Sequence, residues 1–495
     1  MSSGLKGYNV HLDGVRVNDA PIPESGSWPL TGLDPATDYS GRITITAVDN
    51  AGNESAPISL ADLEIAAATM NPSPDDPLPE ETRAAIAALV EAKLKPATAV
   101  DGALIAVRTP IGSHDQAFGG DRTAGEPLTL VDKVRFGSCT KLYTNLLVLE
   151  QIDLGRLSFD DTLDQWVPGV ANSDRITIRH LLMMQSGILD YLQQDAAVSQ
   201  QYFLNPTQTV DPMGSILSYQ PLYEPGESAS YSNSNTVLLG KILEALDLEH
   251  GTGRDIRTIV LDFCSEYGLN ETEWPTGNNM TPPYSRAFAP NLALPSIQAM
   301  LGPFAFLAGL FGVPTTAEIE WTAVSTTWAG AAGALAGTIG DLARFGELLR
   351  DAPMLSPELK QLQEEVFTTY STYEPQNPWD GPGWLGFGLG VIQWGHWLGW
   401  IGNLGGYMSV CFYSVRDGSV IAVAMNYFGA PVVELFYEIA YLLDPESTLT
   451  PIATKVRPES IPPVAAVNRP GVYVAHDPGD EDGKTDVALK VPFYV

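Results

Sequence analysis

The run Asn71-Pro-Ser-Pro-Asp-Asp-Pro-Leu-Pro79 constrains the fold more than any other stretch of this chain. Proline lacks a backbone N–H and fixes φ, so neither a helix interior nor a central strand can pass through such a run. Such a run reads as the end of a linker between units. At 495 residues the chain exceeds one ordinary domain in any case. Residues 61–79, rich in Ala, Pro and Asp, read as a linker. Residues 1–60 then form a small β module, 80–443 an α/β (α+β) domain, and 444–495 a Pro-rich C-terminal extension.

Within the first module, Tyr8 to Leu12 and Ile43 to Val48 alternate apolar and polar residues, the period of a half-buried strand. Asp13-Gly14 supplies a hairpin turn. Leu30 to Tyr39 resembles the corner of a fibronectin type III domain, and Ala47 to Ser55 resembles its end. The opening strands of that sandwich are missing, so the module is a partial one. Glu80 to Lys95 carries apolar residues at 85, 86, 89, 90 and 94, a helical stripe, and Ala103 to Arg108 reads as a strand. Leu292 to Pro314 is apolar but broken by Pro295 and Pro303, which argues against a membrane span. It either lines a pocket or packs as a helical hairpin. Asp477, Asp480 and Asp482 read as a solvated acidic turn rather than a calcium site.

Composition excludes several partners. A formal charge of −32 repels nucleic acid and anionic membrane surfaces. Cys139, Cys264 and Cys411 lie far apart in apolar runs and read as buried thiols, not as a disulfide framework. The histidines are scattered with no pair at ligand spacing, so neither a metal nor another cofactor is expected. Met1-Ser-Ser-Gly has neither the basic nor the apolar stretch of a secretory signal.

Ser138 and Lys141 stand three residues apart at the start of a predicted helix, which puts both side chains on one face about one turn apart. Unsatisfied N–H groups at a helix start favour negative charge on the serine oxygen. By itself an S-x-x-K reads more readily as a serine cap followed by a surface lysine, since chance supplies the pattern in most long chains. Its setting decides between them. Phe136-Gly-Ser-Cys-Thr-Lys141, then Ile152-Asp-Leu-Gly-Arg-Leu-Ser-Phe-Asp-Asp-Thr-Leu163, then Ile176-Thr-Ile-Arg-His-Leu-Leu-Met-Met-Gln-Ser-Gly-Ile188 resembles the serine β-lactamase and penicillin-binding-protein family. Tyr223 to Asn235 matches the setting of that family's Tyr-x-Asn motif and assigns Tyr231 and Asn233. Gly330 to Leu335 and Asp341 to Phe345 continue the series, so the resemblance spans about 80–443. It implies a β-lactamase-like fold, with an antiparallel sheet flanked by helices and a helical lobe.

The family's third motif, Lys-Thr-Gly or His-x-Gly, is replaced. The pair Gly406-Tyr407 and the turn after it set a register that puts Trp400-Ile-Gly402 at the motif. An indole thus stands where the resemblance implies a cation that holds a substrate carboxylate; esterases similar to this family carry such a Trp-x-Gly. His396 is a candidate substitute cation, or else a strand residue facing a loop. The implied mechanism has Ser138 attack an acyl carbon while Lys141 and Tyr231 accept its proton and relay it. Backbone amides of Ser138 and Asn403 would hold the oxyanion, and Asn233 would orient Lys141 and the substrate carbonyl. Two substrate readings compete, a D,D-peptidase on peptidoglycan stem peptides and an esterase or amidase on a neutral acyl group, and Trp400 favours the second.

A fibronectin-like module joined to such a hydrolase resembles minor tail proteins of bacteriophages. That likeness implies a place in the virion, a homo-oligomer among other tail proteins, and an envelope substrate outside the host. A signal-free bacterial esterase and a non-catalytic tail scaffold are the alternatives.

Overall fold

The computed structural model describes residues 5–17, 42–49, 52–56, 58–59, 74, 76–95, 98–120, 126–194, 205–218, 220–291, 317–365, 367–369 and 385–445. The expected fibronectin corner at 30–39, the apolar 292–314 segment, the acidic turn at 476–483 and the C-terminal extension beyond 445 lie outside them. The chain divides into two units, Met1–Ser73 and Pro74–Val495.

In the first unit, strands β1 (Leu5–Leu12), β2 (Val15–Arg16), β3 (Ile43–Asp49) and β4 (Ile58–Ser59) form one sheet in the order β2-β1-β3-β4. The β1–β2 turn is Asp13-Gly14 with φ of 51° and 81°, the left-handed pair that a two-residue hairpin turn requires. The Asp13 carboxylate accepts both Arg42 donors, at 2.7 and 2.6 Å.

The second unit opens with helix α1 (Glu80–Glu91), shorter than the expected 80–95. The chain leaves the helix after Glu91, and Lys93 reaches Glu434 and Glu438 instead. The central sheet has eight strands, all antiparallel: β5 (Gly102–Thr109), β6 (Gly112–Gly119), β11 (Phe367–Thr369), β12 (Leu385–Gly388), β13 (Ile392–Trp394), β14 (Trp397–Leu404), β15 (Tyr407–Ser414) and β16 (Val420–Met425). Their order is β11-β12-β13-β14-β15-β16-β5-β6, so the first strand of this sheet in the chain, β5, pairs with its last, β16. Two short ribbons complete the strands, β7 (Val134–Arg135) with β10 (Ala336–Gly337) and β8 (Phe288–Pro290) with β9 (Glu318–Glu320).

The helices that follow are α2 (Thr140–Asp153), α3 (Ile178–Leu182), α4 (Tyr191–Gln194), α5 (Pro212–Ile216), α6 (Asn233–His250), α7 (Ile256–Glu266), α8 (Ile339–Asp351), α9 (Pro357–Glu365) and α10 (Val432–Leu443). The two-residue period of β15 sorts them onto the two faces of the sheet. Cys411 meets Gly346 and the Leu342 carbonyl of α8, while the next residue, Phe412, stacks on Phe436 of α10 with centroids 4.7 Å apart. Helix α2 is apolar on nearly every side and buried from Thr140 through Leu149. It runs through the middle of the domain, between α6, the turn Gly330–Ala332 and β14. No described helix is long and apolar enough to cross a membrane.

Candidate active site

Two close backbone approaches place Ser138. The turn Gly137–Cys139 leads into α2, and Gly137 has φ of +51°. A Cβ on Gly137 would stand 2.4 Å from the Asn403 nitrogen, so only glycine allows the strand this close. From the strand side, a Cβ on Gly402 would lie 1.9 Å from the Phe136 carbonyl oxygen. Ser409 on β15 closes the seam by donating to that same carbonyl at 2.7 Å. The amide of Asn403 is thereby brought beside the peptide that carries Ser138, where the sequence expected an oxyanion site.

Around Ser138 Oγ the polar groups converge from three parts of the chain. Tyr231 OH lies 2.7 Å from Ser138 Oγ, and Lys141 Nζ donates to the same oxygen at 2.9 Å. Lys141 Nζ also donates to Asn233 Oδ1 at 2.6 Å and to the Ala332 carbonyl at 2.7 Å. Tyr231 OH donates to Asn233 Oδ1 at 3.0 Å. Lys141 is wholly buried, and loss of hydration pulls its pKa down to about 7 against the opposing pull of Asp190. Its Nζ also sits 5.0 Å from the centre of the Tyr231 ring. An amine that titrates near pH 7 has a substantial neutral fraction there, and, touching a half-buried serine hydroxyl, that neutral form can take the hydroxyl's proton.

All four members of the expected cluster, Ser138, Lys141, Tyr231 and Asn233, therefore meet within hydrogen-bonding distance. Trp400 lies on β14 with its ring centre 6.4 Å from Tyr231 and 6.4 Å from Phe387. Its indole is only 1% exposed, so it floors the site from beneath. His396 does not serve as a replacement cation there. It precedes β14 at the opposite end, beside Trp397, and Asp444, Arg416 and Asp417 are the charges it feels. The three cysteines are buried free thiols, and no described group of His, Cys, Asp or Glu could hold a metal.

Asp190 went unassigned in the sequence. It is buried, accepts from Asn233 Nδ2 at 2.8 Å and from the Asn233 amide at 3.3 Å, and interacts with the Lys141 charge. The signal was there to read. Ile188-Leu-Asp-Tyr-Leu192 is an apolar run interrupted by one carboxylate, which is costly to bury unless something pairs with it. The Ala332 carbonyl had no signal, since any residue supplies one.

The chain is 30% identical over 132 residues to Penicillin-binding protein 4* of Bacillus subtilis, a stretch that is 26% of this chain and 29% of that protein. It is 33% identical over 118 residues to Protein flp of Staphylococcus aureus, 23% of each. The matched stretches thus span less than a third of either relative. Among solved structures, a D-stereospecific amidohydrolase from Streptomyces superposes with a TM-score of 0.58 at 24% identity, covering 72% of this chain and 97% of that one. D-amino acid amidase from Ochrobactrum anthropi gives 0.58 at 17% identity, covering 74% and 100%. These likenesses establish a shared fold. The sequence profile of the Beta-lactamase family matches residues 82–443, most of the chain and the whole of the site, and the protein belongs to that family.

Proposed function

We propose that this protein is an active-site-serine acyl hydrolase that works through a Ser138 acyl-enzyme on a neutral ester or amide. The observation that carries the reading is the position of Ser138 Oγ, between Tyr231 OH at 2.7 Å and the buried Lys141 Nζ at 2.9 Å. As Ser138 bonds to the acyl carbon, its proton passes to Lys141, directly or through Tyr231. The same pair returns a proton to the departing alcohol or amine, and water then cleaves the acyl-enzyme with the roles reversed. Amides of Ser138 and Asn403 take the oxyanion.

Trp400 supports a substrate without a carboxylate at this position, because an indole offers one N–H donor and no charge. A solved relative is named a D-amino acid amidase, and an amino acid amide has no free carboxylate to hold. We place the protein in a bacteriophage tail, acting on the host envelope from outside as a homo-oligomer. The support is the fibronectin-like sequence of the first module; one fold relative is an octameric penicillin-binding-protein homologue.

Labelling with a fluorescent fluorophosphonate and, separately, with a fluorescent penicillin tests the reading, each against Ser138→Ala. Labelling by the first alone, abolished in Ser138→Ala, is the expected result. Labelling by both would return a D,D-peptidase to the front. Labelling by neither would leave a tail scaffold as the better account.

A further inference from the structure

We propose that Asp190 is a positioning residue of this site: it locks the Asn233 side-chain amide in the one orientation that offers Oδ1 to Lys141 and Tyr231 together. The inference rests on the serine-hydrolase reading and deepens it. An ionised carboxylate only accepts hydrogen bonds, so the Asn233 group facing it must be the donor, Nδ2. That contact is 2.8 Å long, and the Asn233 backbone amide reaches the same carboxylate oxygen at 3.3 Å. The second carboxylate oxygen is held by the Leu192 amide at 2.9 Å, so Asp190 cannot swing away. With Nδ2 committed, Oδ1 points the other way and accepts from Lys141 at 2.6 Å and Tyr231 at 3.0 Å. A flipped amide would turn two N–H donors toward an ammonium and a phenol, breaking both contacts at once.

Charge adds to geometry. Asp190 is as buried as Lys141, and its negative charge pulls the lysine pKa upward while desolvation pulls it down. Besides Asp190, the described groups facing Lys141 are Ser138, Tyr231, the Asn233 amide oxygen, the Cys139 thiol and the Ala332 carbonyl, and Asp190 alone of these is a carboxylate. Removing its charge therefore makes Lys141 easier to deprotonate. Asp190 never touches the reacting atoms, so its effect must appear through Asn233 and Lys141.

The test is the second-order rate of fluorophosphonate labelling as a function of pH, in wild type, Asp190→Asn and Asp190→Leu. Asp190→Asn keeps the shape and loses the charge. Its acid limb is expected to move down by about one pH unit, with a plateau about tenfold lower. Asp190→Leu leaves Nδ2 without an acceptor, and its plateau is expected to fall by about a hundredfold. A purely structural role would lower the melting temperature and leave the limb where it was, which overturns the inference. Should neither variant fold, aspartate labelled with carbon-13 in the carboxyl group gives a readout in the unaltered protein. One buried carboxylate signal must shift with the same midpoint as the labelling limb, and its absence counts against the proposal. Wild type that labels while Asp190→Asn shows an unchanged profile sinks this inference alone; no Ser138-dependent labelling at all sinks the hydrolase reading with it.

Discussion

The two walls of the site are built on opposite principles. On the helical side, Ser138, Lys141, Tyr231, Asn233 and Asp190 form one hydrogen-bonded chain. Each link is a side-chain atom, and each depends on the next for its orientation. On the strand side, β14 contributes backbone and an apolar floor. Gly402 lets the strand touch the Phe136 carbonyl, and the buried Trp400 fills the space beneath Tyr231. Proton transfer needs particular atoms at particular distances, so the polar wall tolerates little exchange. Recognition needs only a surface of suitable charge and shape, so one residue on the strand wall can redirect it.

The largest effect should come from the seam between the walls. Gly402→Val must push β14 off the nucleophile turn, because even its Cβ would overlap the Phe136 oxygen. The expected cost is about 3 kcal/mol in stability and at least about a hundredfold in labelling rate. Ile401→Val on the same strand, deleting one methylene, should cost about 1 kcal/mol and leave the rate nearly unchanged. Denaturant titration and fluorophosphonate labelling measure both, and equal effects at the two positions would dissolve the distinction between seam and floor.

A smaller effect, but the sharper test of what each wall does, is Trp400→Lys. It places an ammonium where the family resemblance implies one. Fluorescent penicillin labelling is expected to rise by about tenfold while labelling by a neutral ester probe falls by about as much, roughly 1.4 kcal/mol each way. If penicillin reactivity stays flat, recognition of a carboxylate is written elsewhere than on β14.

The smallest effect on the reaction itself, though not on stability, concerns how the surroundings of the polar wall respond to acid. His180 in α3 caps its own helix, its Nδ1 accepting from the Thr177 amide at 3.2 Å. It packs near Gly226, in the loop leading to Tyr231. Burial and the neighbouring Arg179 charge lower its pKa from 6.5 to about 4. Between those values the unfolded chain binds a proton that the folded chain refuses, so stability rises with pH there. The contribution is complete above about pH 6.5 and is lost as pH falls toward 4, about 3 kcal/mol. His180→Gln should flatten the melting temperature over that window. Hydrogen exchange should show 226–233 loosening in acid before 397–404; the reverse order would mean that the strand wall is the weaker one.

Local patterns made much of this legible. The Pro-rich run, the alternation in β1 and β3, and the Asp13-Gly14 turn are read within a few residues, because φ restriction and side-chain period act at that range. Helix α1 was legible in its stripe but not in its end, where Lys93 leaves for acids more than 300 residues away. In the site, Ser138 and Lys141 share one helical face by spacing alone, whereas Tyr231, Asn233 and Trp400 were placed by the order of motifs.

By itself, then, the sequence determined where helix and central strand must break at the Pro-rich run and that a serine and a lysine lie one turn apart on a helix; the order of motifs added the indole on the strand. Only the tertiary structure decided that the lysine is stripped of water, that Asp190 meets the asparagine between lysine and tyrosine, that the Ala332 carbonyl accepts a hydrogen bond from the lysine, and that His396 lies away from the site beside Trp397. The reason is physical. Period and turn chemistry are properties of neighbouring residues, while desolvation and hydrogen bonding are properties of groups that only the closed fold brings together.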